Sequence, residues 1–302
     1  MATGRLPHIA VCICTYKRPL FLKRLLKELS EQQTEDRFTY SIIVADNDRL
    51  ESARPVVADW KDKTRVAITY CAEPCPNIAL TRNKAVENAH GDFISFIDDD
   101  EFPTPTWLLT LFKACEQYDA DGALGPVKPY FESEPPAWVV KGKFYDRPTY
   151  PTGYVIDWRK GRTGNVLLNS HVFEGLEQPF RPDLLTGEDQ DFFRRMINQG
   201  YRFIWCAEAV AYEHVPPTRW KRSFMLRRAL FRGKISLIHP TSRFREVLKS
   251  AIAIPAYVVV LPFMLVLGQG IFMRYLVKTC DHAGKLLAML GLNLVKDHYV
   301  TE

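Results

Sequence analysis

Along the first two-thirds of the chain, apolar positions recur with two different periods, and the periods take turns. Residues 8–14 are apolar and rich in β-formers, whereas residues 19–30 carry Leu22, Leu25, Leu26 and Leu29 at helical spacing. Residues 41–45 and 66–70 read as further strands, and residues 78–89 as a helix stopped near Gly91. Phe93, Ile94, Phe96 and Ile97 then form a short run typical of a sheet-core strand. Phe102-Pro103-Thr104-Pro105 stops that strand and opens a helix over residues 106–118, since proline is tolerated in a first helical turn. Strand and helix in alternation predict an α/β fold, a mostly parallel sheet with helices on both faces.

The pattern changes over residues 122–169 to glycine, proline and aromatics, with short β-like runs at 154–157 and 166–168. Such an irregular cover over a sheet suits recognition of an acceptor. Beyond it, Phe192, Phe193, Met196 and Ile197 give a helical stripe that ends at Gly200, with Thr186 and Asp189 as a capping pair at its start.

The strand over residues 93–97 runs into Asp98-Asp99-Asp100-Glu101, four consecutive acids. Acids stacked at a strand end repel one another unless a cation is shared, and strand ends are where open α/β sheets bind ligands. Oxygen donors in such a cluster suit Mg2+ or Mn2+, an ion usually shared with substrate phosphates. The bland reading is a solvated acidic turn, and Glu101 in particular reads as solvated surface.

At 302 residues, with 47% hydrophobic and 25% charged positions, the chain can hold one large α/β domain plus an appendage. Seven cysteines without regular spacing argue against a disulfide framework and for a reducing compartment. Cys71 and Cys75 lack partner ligands and read as structural, and Cys12 and Cys14 as packing. Residues 1–7 have no apolar core of signal-peptide length, so the catalytic part is expected in the cytoplasm. The net charge of +5 is concentrated between Arg219 and Lys249, a basic segment that leads into residues 250–273, which carry no charge. That order points to a membrane surface rather than to nucleic acid.

Four elements occur in sequence: Val11-Cys12-Ile13-Cys14-Thr15-Tyr16-Lys17-Arg18-Pro19, then Val44-Ala45-Asp46-Asn47-Asp48, then Arg82-Asn83-Lys84-Ala85 ahead of Ile97-Asp98-Asp99-Asp100, then Gly187-Glu188-Asp189-Gln190-Asp191. This series, over residues 8–215, resembles the family 2 inverting glycosyltransferases of GT-A fold. With Asn77-Ile78-Ala79 and Leu124-Gly125-Pro126-Val127 it is most similar to bacterial exopolysaccharide β-glucosyltransferases of the succinoglycan type. The resemblance implies that Thr15 and Tyr16 contact the nucleotide and Asp46 reads the base, commonly uracil, with Arg18 and Asp48 in the same donor set. It puts Arg82 against the diphosphate or base, Asp98 and Asp99 near ribose and sugar, and Asp100 on the metal. Asp189 falls on the general base and His214 on a histidine that completes the metal site in many such enzymes. Asn165 and Glu188 would help hold the acceptor. A Q-x-x-R-W processivity signature is absent, since Thr218-Arg219-Trp220 lacks the glutamine, which implies one sugar added at a time.

The chemistry calls for this set independently. Breaking the bond from anomeric carbon to phosphate leaves a nucleoside diphosphate whose growing charge a divalent ion stabilises. The acceptor hydroxyl is a poor nucleophile until a carboxylate takes its proton. Two other readings compete. A nucleotidyltransferase that makes a nucleotide sugar would carry a glycine-rich loop where Thr15-Tyr16-Lys17-Arg18-Pro19 stands, and a non-catalytic assembly protein would not need all the acids at once.

A boundary near Pro216-Pro217 separates a catalytic domain, 1–217, from a basic and apolar helical region, 218–302. Pro255, Pro262 and Gly268-Gln269-Gly270 interrupt the apolar stretch, and cations flank it on both sides, Arg243, Arg245 and Lys249 before, Arg274, Lys278 and Lys285 after. A re-entrant or interfacial helical pair at the cytoplasmic face of the membrane fits that arrangement better than a single crossing. The acceptor is then expected to be a polyprenyl-diphosphate-linked saccharide, its diphosphate met by Arg227, Arg228 and Arg232. The oligomeric state is not encoded in any feature of the sequence.

Overall fold

The computed structural model of the chain describes residues 4–184, 186–236 and 243–292. The described residues divide into two compact units, 4–128 with 147–213, and 129–146 with 214–236 and 243–292.

The first unit is built on a seven-stranded sheet. Strands β1 (His8–Thr15), β2 (Thr39–Asp46), β3 (Ala67–Ala72) and β4 (Phe93–Asp98) are mutually parallel, in the order β3-β2-β1-β4. Helices α1 (Pro19–Ser30), α2 (Arg54–Lys61) and α3 (Ile78–Glu87) make the crossovers. Period-two alternation sorts β1 between two cores: Ile9, Val11 and Ile13 pack with the leucines of α1, while Ala10 and Cys12 face Ala79 and Ala85 of α3. Both faces of the sheet are therefore covered, as a parallel sheet requires.

After β4 the chain turns through Asp99 and Asp100 and does not enter the helix at once. Glu101–Pro103 forms a further strand, β5, ahead of α4 (Trp107–Tyr118). The sheet then continues through β6 (Gly122–Leu124), with β7 (Val127–Tyr130) following, and β8 (Val166–Asn169), which runs antiparallel to both β4 and β6. The run at 154–157 makes only one isolated bridge, Val155 to Ile204, rather than the expected strand. Helix α6 (Glu188–Asn198) buries Phe192, Phe193 and Met196 completely, and β9 (Phe203–Trp205) closes the sheet beside β6. β10 (Ala211–His214) pairs antiparallel with β5, which sets Glu213 opposite Glu101.

In the second unit, α5 (Ala137–Lys141) contributes Val139 to a small core with Val215, Trp220 and Met225. The unit then consists of α7 (Arg222–Ile235), α8 (Arg243–Val266) and α9 (Gln269–Met289). Helix α8 runs unbroken past Pro255 and Pro262, so the prolines do not interrupt it; the break falls at Gly268, whose φ is +117°. Arg245–Val266 is long and apolar enough to cross a membrane, with 6% of its span buried. Ile252, Val259 and Phe263 each lie about two-thirds exposed, at 66%, 67% and 66%. Most of the apolar stretch therefore lies in the one helix α8, and its end, past Gly268, begins α9.

Candidate active site

The parallel register brings three strand ends to one edge. Thr15 stands opposite Asp46, and Cys14 opposite Asp98. From there the acids turn inward instead of splaying into solvent. Thr15 Oγ1 donates to Asp99 Oδ2 at 2.8 Å, while Arg18 Nη1 reaches Asp99 Oδ1 at 3.0 Å and Asp100 Oδ2 at 3.4 Å. Tyr16 is half-buried with the Lys17 ammonium 5.1 Å from its ring centroid.

Burial dominates the electrostatics of this run. It pushes the Asp98 carboxyl up to about 6 against the pull of Arg82, and Asp99 up to about 6 against that of Arg18. Glu101, expected at the surface, is only 2% exposed. Its pairing through β5 with β10 draws it inside, where burial first and the Asp98 charge second push its carboxyl well above the usual carboxylate range. Gly164 lies against both acids: a Cβ there would stand 2.6 Å from Asp98 Oδ2 and 3.0 Å from Glu101 Oε1. Any side chain at 164 would have to displace them.

The sign of the pH effect follows from these shifts. Asp98 and Asp99 rise from 3.8 to about 6 on folding, so across that window the folded chain holds more protons than the unfolded one. Stability contributed by these groups is therefore greatest at low pH and is lost as pH rises through the window. Thermal melts of the metal-free protein should show a midpoint that rises between about pH 7 and about pH 5, by about 2–4 °C for each kcal/mol regained. A midpoint that falls over that range would show that these carboxyls are not held protonated.

Asp46 is 0% exposed, and its carboxylate is used by the chain itself. It accepts from the Asp48 N–H at 3.0 Å, the Ala53 N–H at 2.8 Å and the Tyr70 hydroxyl at 3.1 Å. Burial raises its pKa and the two N–H groups pull it back. Asp48 is 4% exposed and caps the same loop through the Leu50 N–H.

Asp189 stands in the first turn of α6, and α3 fixes that turn. Asn83 exchanges two hydrogen bonds with the backbone of Phe180, at 2.7 and 2.9 Å, and Asn77 Nδ2 donates to the Pro182 carbonyl at 2.9 Å. Arg82, 8% exposed, forms an ion pair with Glu188, which is 5% exposed. The expected Thr186–Asp189 capping pair is not made; Gly187 is the N-cap, at φ +81°, and no side chain bonds there. Burial raises the Asp189 pKa and the Arg82 charge opposes it.

Asp98 and Asp189 line one cavity of about 270 Å³ together with Arg82, Arg147, Arg159 and Arg162. Arg147 is ion-paired with Glu213, and burial, reinforced by Arg147, lowers the Arg162 pKa. The sequence pattern gives no sign of Arg147, Arg159 or Arg162, which lie scattered in the irregular stretch with no periodicity to single them out.

The structure corrects the reading of Asn165 as an acceptor ligand. It is 0% exposed, accepts from Trp107 Nε1 at 2.7 Å, and donates to the Pro126 and Ala209 carbonyls at 3.0 and 2.9 Å. Asn165 is a brace beneath the site. Asn165→Ala should cost about 2–4 kcal/mol by leaving buried groups unpaired, read as a lower denaturant midpoint; a shift under about 0.5 kcal/mol would contradict that role.

The remaining candidates belong to the second unit. His214 is 6% exposed with Nε2 3.1 Å from Glu132 Oε1. Arg227 and Arg228 are exposed on α7, while Arg232 is forked onto Asp281 at 2.9 and 2.6 Å and so is already engaged. Among the described residues no group of three or more His, Cys, Asp or Glu is arranged to hold a metal ion alone. Asp99 and Asp100 share the Arg18 guanidinium, and a hard cation there would need its remaining oxygens from substrate phosphates.

Known proteins resemble this chain in sequence and in fold. Residues 10–177 match the family model described as glycosyl transferase family 2. The succinoglycan biosynthesis protein ExoM of Rhizobium meliloti is 30% identical over 98% of this chain and 97% of its own. The GalNAc(5)-diNAcBac-PP-undecaprenol beta-1,3-glucosyltransferase of Campylobacter jejuni is 29% identical over 37% of this chain and 36% of its own. Among solved structures, the mannosyltransferase PcManGT of Pyrobaculum calidifontis, in complex with GDP-Man and Mn2+, superposes with a TM-score of 0.61 at 17% identity, over 97% of this chain and 89% of its own. S. aureus TarS 1-349 in complex with UDP-GlcNAc gives 0.55 at 13% identity, over 96% and 94%. The structural likenesses bear on the fold, which is that of GT-A enzymes, and the sequence matches bear on the chemistry: the chain belongs to glycosyltransferase family 2.

Proposed function

We propose that this glycosyltransferase is metal-dependent and inverting, and that it moves a sugar from a UDP-sugar, with UDP-glucose the first candidate, to a polyprenyl-diphosphate-linked oligosaccharide during exopolysaccharide or surface-glycan assembly. The observation that carries the reading is the single cavity holding Asp98, Asp189 and four arginines. One carboxylate stands at the strand end where a donor would lie, the other at a helix start where an acceptor hydroxyl would arrive.

Asp189 takes the proton of the acceptor hydroxyl as its oxygen attacks the anomeric carbon from the face opposite the leaving diphosphate, which inverts that centre. Arg82, Arg147, Arg159 and Arg162 supply guanidinium donors suited to phosphate oxygens. Thr15, Tyr16, Arg18, Asp46 and Asp48 form the nucleotide side, with Asp98 and Asp99 toward ribose and sugar, and Glu188 toward the acceptor. Mg2+ or Mn2+, held by Asp100, would neutralise the charge that develops on the diphosphate. The basic α7, with Arg227 and Arg228, and the apolar α8 support a station on the cytoplasmic membrane face.

The test is a screen of nucleotide sugars with Mn2+ or Mg2+ and detergent-solubilised lipid-linked acceptors, read by mass spectrometry. Transfer from a UDP-sugar is expected; diphosphate release from a nucleoside triphosphate would instead favour nucleotidyl transfer. Asp100→Ala should remove metal-dependent donor binding, a loss of about 10²-fold or more by calorimetry. Unchanged affinity would move the metal elsewhere.

A further inference from the structure

The helical unit holds a second cavity, of about 350 Å³, lined among others by Arg232, Lys278, Lys285, His282, Tyr257 and Asp281. That is roughly ten times the ~30 Å³ one water occupies in the liquid. Two of the helices that line it pack closely. Helices α7 and α9 touch backbone to backbone, since a Cβ on Gly233 would stand 2.1 Å from the Asp281 carbonyl oxygen and one on Gly284 2.2 Å from that of Leu230.

Three cations face one acid in the lining. Arg232 is held in place by its fork onto Asp281, and Lys285 is held by Glu246 at 2.8 Å. The Lys278 ammonium lies 5.4 Å from the Tyr275 ring centroid. His282 Nδ1 is fixed by Ser250 Oγ at 2.9 Å, and its ring lies 5.8 Å from that of Tyr257. Lys278 of α9 and Tyr257 of α8 thus line one space from two helices. Tyr257 comes from α8, where Val258 and Val259 beside it are exposed at 54% and 67%. The cavity therefore stands at a boundary between cationic and apolar surface, the chemistry of a lipid whose anionic phosphate sits above its hydrocarbon.

We propose that this cavity binds the phosphate of a membrane lipid, with Lys278 as its principal contact. The inference rests on the membrane-surface reading of the helical unit and not on the assignments at Asp98 or Asp189.

The test is co-sedimentation of the full chain with three sets of vesicles: phosphatidylcholine alone, phosphatidylcholine with phosphatidylglycerol, and phosphatidylcholine with a polyprenyl diphosphate. Wild-type protein should bind at least one anionic set more tightly than the neutral one. Lys278→Gln should lower that excess about fivefold or more while leaving neutral-vesicle binding unchanged. Tyr257→Phe, which keeps the ring contacts, should lower it less. Lys141→Gln, an equal charge change at an exposed position of α5, should lower it less than about twofold. A larger Lys278→Gln loss on polyprenyl diphosphate assigns the cavity to the acceptor lipid, and a larger loss on phosphatidylglycerol to bulk lipid; both support the site. Lys278→Gln equal to wild type on both anionic sets, or Lys141→Gln equal to Lys278→Gln, overturns it. Wild type that binds no vesicle overturns the membrane reading with it, whereas neutral binding without any Lys278 effect overturns the cavity alone.

Discussion

Asp189→Asn should reduce sugar transfer by about 10²–10⁴-fold, the contribution of a positioned general base, and leave donor affinity within about twofold. The substitution keeps the side-chain volume and removes only the ability to accept a proton. The Asp189 carboxylate takes the Gln190 N–H at 2.7 Å, a bond the Asn oxygen can also accept, so α6 should still start in place. Donor affinity should hold because the groups assigned to the nucleotide come from other elements. Turnover retained at the wild-type level would take the base role away from Asp189. A pH profile gives a second check. Burial raises the Asp189 pKa above the ordinary 3.8, so activity should fall on the acid side at a pH higher than a solvated aspartate would give. In that same range the Asp98 and Asp99 shifts make the metal-free fold more stable, so an acid loss of activity should not coincide with unfolding.

Arg82→Ala should be the most damaging single change to both fold and chemistry. Arg82 is nearly buried and stands among Glu188, Asp189 and Asp98, each of whose charges stabilises the guanidinium. Removing it leaves Glu188 buried without its partner, a loss of about 3–5 kcal/mol, and transfer should fall with it. Denaturant unfolding reads the stability term. Pairing the change with Glu188→Gln separates the causes: stability should recover in part once the stranded charge is gone, while activity should not. A double variant no more stable than Arg82→Ala would mean that Glu188 is not the group left uncompensated.

The parallel half of the sheet was legible because each of its strands is short, apolar and followed by a helix with its own period. Leu22, Leu25, Leu26 and Leu29 predict the buried stripe of α1, and all four are completely buried. The strand-end acids were legible as a cluster, but their burial was not. Glu101 looks like surface to any local reading, because what encloses it is β10, more than a hundred residues later. Asn165 misled for the opposite reason. Its neighbours in sequence suggest an open, glycine-rich loop, while its partners Trp107, Pro126 and Ala209 come from three distant segments. Arg147, Arg159 and Arg162 were invisible since a scattered arginine in an irregular stretch carries no period, and only the fold gathers them around Asp98 and Asp189. The prolines of α8 misled through a local rule. Pro255 and Pro262 each remove one backbone donor, yet the helix continues past both and stops at the positive-φ Gly268.

The two-carboxylate account stands or falls on stereochemistry. One carboxylate that activates the acceptor hydroxyl, with attack opposite the diphosphate, permits a single displacement only. The direct measurement is the anomeric configuration of the product formed by the purified chain from an α-linked nucleotide sugar, read from the proton coupling at the new linkage. A β-linked product is predicted; an α-linked product would contradict the assignment of Asp189 as base and the inverting mechanism with it.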